Sequence, residues 1–94
     1  MIHKTAIIDS KAKISENVKV GPYTVIGPHV EIGENTEIHS HVNISGYTKI
    51  GNNVEIGGGS GVIKDIPENS KVMGYPAKNF RDFLKENRWY TKQQ

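Results

Sequence analysis

The side chains best suited to proton transfer in this sequence are four histidines, His3, His29, His39 and His41. An unperturbed imidazole titrates near neutrality, which makes it the usual general base. His39 and His41 flank Ser40, so one short stretch carries two imidazoles and a hydroxyl. As a metal pair, the His39-x-His41 spacing needs a further ligand that only a symmetry-related copy would bring, and no metal site is assigned. There is no cysteine, which removes thiolate nucleophiles, disulfides and thiolate metal ligands together. A second group runs from Gly57-Gly58-Gly59 to Lys64-Asp65. Glycines there let an extended ligand approach the backbone. The stretch lacks the strand-then-helix setting of a phosphate-cradling loop. Nowhere do aromatic and basic residues interleave as in single-strand nucleic-acid binders, so no nucleic-acid partner is expected.

A repeat of six positions these residues. Steps of six from Ile2 land on Ile8, Ile14, Val20, Ile26, Ile32, Ile38, Ile44, Ile50, Ile56 and Val62, a register that holds nine of the twelve isoleucines. Two residues before each of these comes a small or β-branched residue, from Ala6 and Ala12 through Thr24 and Val42 to Ser60. One residue after, Gly recurs at Gly21, Gly27, Gly33, Gly51 and Gly57. A helix cannot keep every sixth residue on one face. A strand period of two can, and it puts the residue two before on the same inward side. Gly, or Asp9, Ser15 and Ser45, is expected to supply the bend. Strand and bend in alternation make a solenoid. No Asn-Gly or similar hairpin signal favours an antiparallel sheet instead.

With three hexads per coil, residues eighteen apart stack, giving inward columns such as Ile2/Val20/Ile38/Ile56 and Ile8/Ile26/Ile44/Val62. The spacing therefore predicts about three coils over 1–62. A capping loop follows over 63–75, in which Ile66, Val72 and Met73 lie across the last coil as a lid. A helix over 76–90 is opened by Pro76, with Phe80, Phe83, Leu84 and Asn87 along one stripe. Ninety-four residues with so thin a core are marginal as an isolated chain. Residues 1–75 carry seven basic and eight acidic side chains, and 76–94 five and two, so the mild basic excess lies at the C-terminal end. Neither a signal peptide nor an apolar run of membrane-spanning length is present. The expectation is a cytoplasmic protein with no membrane span.

Aliphatic, then Gly, then a small residue two before the next aliphatic: this pattern resembles the hexapeptide-repeat acyltransferases. Residues 1–56, above all VGPYTVIGPHVEIGENTEIHSHVNISGYTKIGNNVEI, look like the opening coils of the UDP-N-acetylglucosamine acyltransferases. Residues 57–88, GGGSGVIKDIPENSKVMGYPAKNFRDFLKENR, look like the closing segment of the UDP-3-O-acylglucosamine N-acyltransferases. The resemblance implies an all-β solenoid, a short left-handed parallel β-helix followed by a C-terminal α-helix, assembled as a homotrimer. It also implies an acyl thioester co-substrate, carried by acyl carrier protein or coenzyme A, and a UDP-linked glucosamine acceptor of lipid A synthesis, with no permanently bound cofactor.

On this resemblance His41, and after it His39, are the candidate catalytic bases, with His41 in a cleft between subunits. Gly58, Gly59, Lys64 and Asp65 are the candidates for binding the acyl donor. The bland readings stand beside these: solvated bend residues for the histidines, and a turn that leaves the solenoid for Lys64-Asp65. The family carries many more coils, and its general-base histidine sits in a middle coil with no counterpart here. Two function classes therefore follow: an acyltransferase-family protein, or a non-catalytic trimeric β-helix module, natural remnant or engineered miniature.

Overall fold

A hexad with one inward aliphatic makes a strand only two residues long. The computed structural model, which describes residues 1–86, contains ten such strands in succession. They are β1 (Ile7–Ile8), β2 (Lys13–Ile14), β3 (Lys19–Val20), β4 (Val25–Ile26), β5 (Glu31–Ile32), β6 (Glu37–Ile38), β7 (Asn43–Ile44), β8 (Lys49–Ile50), β9 (Glu55–Ile56) and β10 (Gly61–Val62). Every third strand pairs in parallel. The first face is β1-β4-β7-β10, the second β2-β5-β8, and the third is built on β3-β6-β9. The register is eighteen residues: Ile8 lies under Ile26, Ile26 under Ile44 and Ile44 under Val62. The chain is thus a parallel β-solenoid of about four turns with a single C-terminal helix.

The interior is a stack of single aliphatic layers. Ile26, Ile32, Ile38, Ile44 and Ile56 are all at most 1 % exposed, whereas Ile2 at the open end is 47 % exposed. The residues two before them alternate between plain apolar packing, as at Val30, Val42 and Val54, and buried hydroxyls at Thr24, Thr36 and Thr48. Thr24 Oγ1 donates to the His39 carbonyl at 2.8 Å and accepts from the Val42 amide at 3.3 Å. Thr36 does the same with Gly51 and Val54. These hydroxyls join consecutive coils at corners where backbone ladders are interrupted, and no buried side-chain polar atom lacks a partner among the described residues.

The corners differ from the expectation. The left-handed residue is not the Gly after the aliphatic but the residue two further on: Asn17, Tyr23, His29, Asn35, His41, Tyr47, Asn53 and Gly59 all have φ between 56° and 74°. The repeated Gly answers a different constraint. A Cβ on Gly21 would stand 2.7 Å from the His39 carbonyl carbon, and one on Gly33 2.6 Å from that of Gly51. The coil above leaves no space there. Side chains stand at the same point of the hexad at Asp9, Ser15, His39 and Ser45.

The segment 63–75 also departs from the expected lid. The step from Val62 to the next inward residue, Ile66, is four residues instead of six, after which the six-residue spacing resumes at Val72. Ile66 bridges Ile50, and β11 (Lys71–Met73) pairs in parallel with β9, so both continue existing columns. The chain then reverses. β12 (Lys78–Asn79) runs antiparallel on the free edge of β11, and that edge claims residues expected in the first turn of a helix. The helix α1 (Phe80–Glu86) begins later than Pro76, with the Asn79 carboxamide accepting from the Arg81 amide at 2.9 Å as an N-cap. It packs on β11 and β12 of its own chain. The Lys71 ammonium lies 4.7 Å from the centre of the Phe80 ring. Asn87 and the end of the expected helix lie outside the described residues.

Two substitutions separate these corner roles. Gly33→Ala should destabilise by about 1–3 kcal/mol through forced overpacking. Gly59→Asn should stay within about 0.5 kcal/mol, because a side chain there meets nothing within 4 Å and Asn already occupies this conformation at other corners. Urea midpoints of the two variants measure the difference, and equal losses would refute the steric reading of the repeated Gly.

Candidate functional site

The turn between β6 and β7 carries His39, Ser40 and His41, and its backbone is held from both sides. The His39 amide donates to the Ile56 carbonyl at 3.1 Å, the His41 amide to Pro22 at 3.0 Å, and the Ser40 carbonyl accepts from Gly59 at 3.0 Å. The structure sends the two imidazoles in different directions. His39 turns onto the third face, where its Nε2 lies 2.9 Å from Glu55 Oε2 and 3.8 Å from Glu37 Oε2. His41, left-handed and exposed, lies over Tyr23 one coil below, ring centres 5.2 Å apart. Above His41 the column ends at Gly59, with open space where a side chain would project.

The other two histidines belong to corners as well. His29 stacks with Tyr47, ring centres 4.9 Å apart and 21° between planes. His3 Nδ1 lies 2.8 Å from Thr5 Oγ1, which also accepts from the Tyr23 amide. Three corner columns therefore run up the solenoid: Thr5/Tyr23/His41/Gly59, Lys11/His29/Tyr47, and Asn17/Asn35/Asn53/Asn69. The two aromatic columns border the first face and the asparagine column is opposite.

The four donor-site candidates do not gather on one copy. Gly58 and Gly59 lie before β10 and Lys64 and Asp65 after it, on opposite sides of the first face. Asp65 Oδ1 accepts from the Lys49 amide at 2.9 Å, which makes it a turn-holding residue. Lys64 instead lines a groove of about 550 Å³ with Ile63, Pro76, Ala77, Lys78, Asp82, Lys85 and Glu86, where Lys78 pairs with Glu86. Sequence reasoning missed the carboxylates around His39. Glu37 and Glu55 are eighteen residues apart and His39 is two past Glu37, so the columns that placed the isoleucines contained that signal. It also missed the aromatic character of the corners. One set of ligand-type atoms from three residues, Glu37, His39 and Glu55, lies within 4.8 Å. Together these features are a rigid scaffold whose chemistry is confined to its corners and outer faces.

Comparison with known proteins fits that architecture. Residues 1–34, 11–46 and 29–64 each match the family described as bacterial transferase hexapeptide, six repeats. The chain belongs to this hexapeptide family. Curated protein sequences contain no match. Among solved structures, serine acetyltransferase from Neisseria gonorrhoeae aligns at 27 % identity and TM-score 0.73, over 83 % of this chain and 39 % of that one. LpxA from Acinetobacter baumannii aligns at 32 % identity and TM-score 0.55, over 78 % and 41 %. A mutant GDP-perosamine N-acetyltransferase from Caulobacter crescentus, solved with CoA and GDP-perosamine, shares the fold at 18 % identity and TM-score 0.63, over 83 % and 54 %. The hexapeptide chain thus spans between 39 % and 54 % of these relatives. Its solenoid is the acyltransferase-like hexapeptide fold. Among the described residues no helix is long and apolar enough to cross a membrane.

The Thr24 hydroxyl should matter to the turn that holds both histidines. Thr24→Val keeps the shape but leaves the His39 carbonyl and Val42 amide without that partner, and should lower stability by about 1–3 kcal/mol. Chemical denaturation measures the loss, and an unchanged midpoint would remove the hydroxyl from this role.

Proposed function

We propose that this chain is an acyltransferase whose reaction centre forms in a cleft between copies of a homotrimer, with His41 as general base. The observation that carries this reading is the position of His41 at the edge of an exposed apolar strip. Outward on the first face are Ile7, 67 % exposed, and Val25, 39 % exposed, then Asn43 and Gly61, the last covered by the Tyr75 ring. Tyr23 and Tyr47, both exposed, flank the strip, and Ile63 follows it. The other two faces present Lys13/Glu31/Lys49 and Lys19/Glu37/Glu55/Lys71 instead.

Tyr in left-handed backbone carries a strain of about 1–2 kcal/mol that Asn, and to a lesser degree His, avoids. The corner away from the strip uses Asn at every turn, while both corners beside it use aromatic rings. Contact with a neighbouring copy accounts for the difference. In a closed ring each interface joins opposite edges of two copies. The Tyr23/His41/Gly59 edge of one copy would then meet the His29/Tyr47/Lys64 edge of the next, which brings together the donor-site candidates that one chain keeps apart. His39 faces the charged third side and stands outside this cleft.

There His41 would take the proton from an acceptor hydroxyl or amine as its oxygen or nitrogen attacks the thioester carbonyl. The tetrahedral intermediate collapses with cleavage of the C–S bond, and the proton passes to the departing thiol. The donor is an acyl thioester of coenzyme A or acyl carrier protein, supported by the CoA in the Caulobacter relative. Lys64 and Lys85 in the groove suit its phosphates, while Lys78 is held by Glu86. The acceptor is a UDP-linked amino sugar of lipid A or related glycan synthesis in the bacterial cytoplasm. A non-catalytic trimeric module is the second reading, favoured by Asp65, which is engaged in holding a turn through the Lys49 amide.

Sedimentation equilibrium should give three chains per particle, and Ile7→Asp with Val25→Asp should shift the mass to one. A folded wild-type monomer would end the intersubunit reading. With acyl-thioester donors and sugar-nucleotide acceptors, His41→Ala should lower turnover by about 10²–10⁴. Unchanged turnover removes His41 as base, and absence of both turnover and saturable donor binding leaves the module.

A further inference from the structure

The third face holds a feature that the acyl-transfer reading does not use. Parallel pairing places Glu37 directly beside Glu55 on adjacent rungs, an arrangement of like charges that destabilises a sheet. The flanking rungs place Lys19 beside Glu37 and Lys71 beside Glu55. The Lys71 ammonium is drawn over Phe80, and the only ion pairs of either glutamate among the described residues are with His39. One shared imidazole thus faces two carboxylates.

We propose that Glu37, His39 and Glu55 form a zinc-class divalent metal site spanning two turns of the solenoid. The geometry agrees with the chemistry. Ligands bound at about 2.0 Å in a tetrahedron stand roughly 3.3 Å apart. The His39 Nε2 to carboxylate oxygen distances, 2.9 and 3.8 Å, bracket that value. One imidazole nitrogen with two carboxylates is a borderline set that suits Zn²⁺ or Co²⁺ over Mg²⁺, which prefers octahedral oxygen coordination and keeps its waters. Three protein ligands leave a fourth position open.

The backbones that carry the ligands are already fixed. The Glu37 amide donates to Val54 at 2.8 Å, Glu55 to Ser70 at 2.9 Å and His39 to Ile56 at 3.1 Å, while the His39 carbonyl is held by Thr24. Only side-chain rotation remains before binding. A hollow of about 450 Å³ beside the triad, lined by Met1, Lys19, Gly21, Glu37, His39 and Ser40, gives access from solvent. The site stands apart from the His41 corner, so its existence and the acyl-transfer reading succeed or fail separately.

The test uses the untagged full chain, stripped of metal by chelation and titrated with Zn²⁺ in a calorimeter. One equivalent per chain should bind, and Zn²⁺ at a hundred-fold excess over its Kd should raise the thermal midpoint by on the order of 10 °C. Co²⁺ should give the intense visible absorption of tetrahedral coordination. His39→Gln and Glu55→Gln should each weaken binding at least a hundredfold and Glu37→Gln about tenfold. His41→Ala and His29→Ala should bind as wild type. Circular dichroism of the metal-free variants confirms that they are folded, and the half-exposed Glu37→Gln and Glu55→Gln pair keeps the test decisive should His39→Gln fail to fold. Absence of saturable uptake, or uptake unaltered in folded Glu55→Gln and His39→Gln, overturns the site.

Discussion

Everything in this molecule depends on each inward residue finding its own counterpart one turn away. An isoleucine on a two-residue strand has almost no neighbours within its own coil. It becomes dry only when the residues eighteen before and eighteen after sit above and below it, joined by parallel backbone hydrogen bonds. Val20, Ile38 and Ile56 form one such column, extended below by Ile2 and above by Val72. Burial rises along it from the half-exposed Ile2 to the fully enclosed Ile56. The core is therefore a one-dimensional cooperative stack, stable in proportion to its number of turns and weakest at its ends.

That stacking also dictates the corners. Coils separated by one strand spacing cannot admit a side chain after each aliphatic, so Gly recurs there for space, and the reversal of direction falls on the left-handed residue two positions later. With the interior filled by aliphatics and bridging threonines, no polar chemistry fits inside. Ionisable side chains are displaced to corner residues and to the outward residue of each strand. Histidine at the corners of the first face and glutamate beside histidine on the third are two consequences of the same geometry, and they point away from each other.

The three outer faces differ in what they expose. Two faces present charged ladders, whereas the first presents Ile7 and Val25 between aromatic corners. The strand that closes the top, β11, is itself finished by a reversed strand and a helix from its own chain. Completion at the top is internal, while Ile7 and Val25 on the first face stay exposed.

The sequence by itself determined the six-residue register, the eighteen-residue columns and membership of a repeat architecture. Each hexad states its own inward residue, and the information is local. It also contained, unread, the Asn17/Asn35/Asn53 ladder and the Glu37–His39–Glu55 spacing, both visible once residues are compared in eighteens. Three matters were left to the tertiary structure. Ile66 and Val72 continue the columns because two missing residues at one corner can be absorbed while the stacking energy is kept. Lys78 and Asn79 become a strand because a free edge of β11 stands beside them, a competitor that no local propensity contains. The imidazoles of His39 and His41, two residues apart, part company because one ends an extended strand and the other turns left-handed. A side chain's direction follows from backbone angles, and only the packed coils set those.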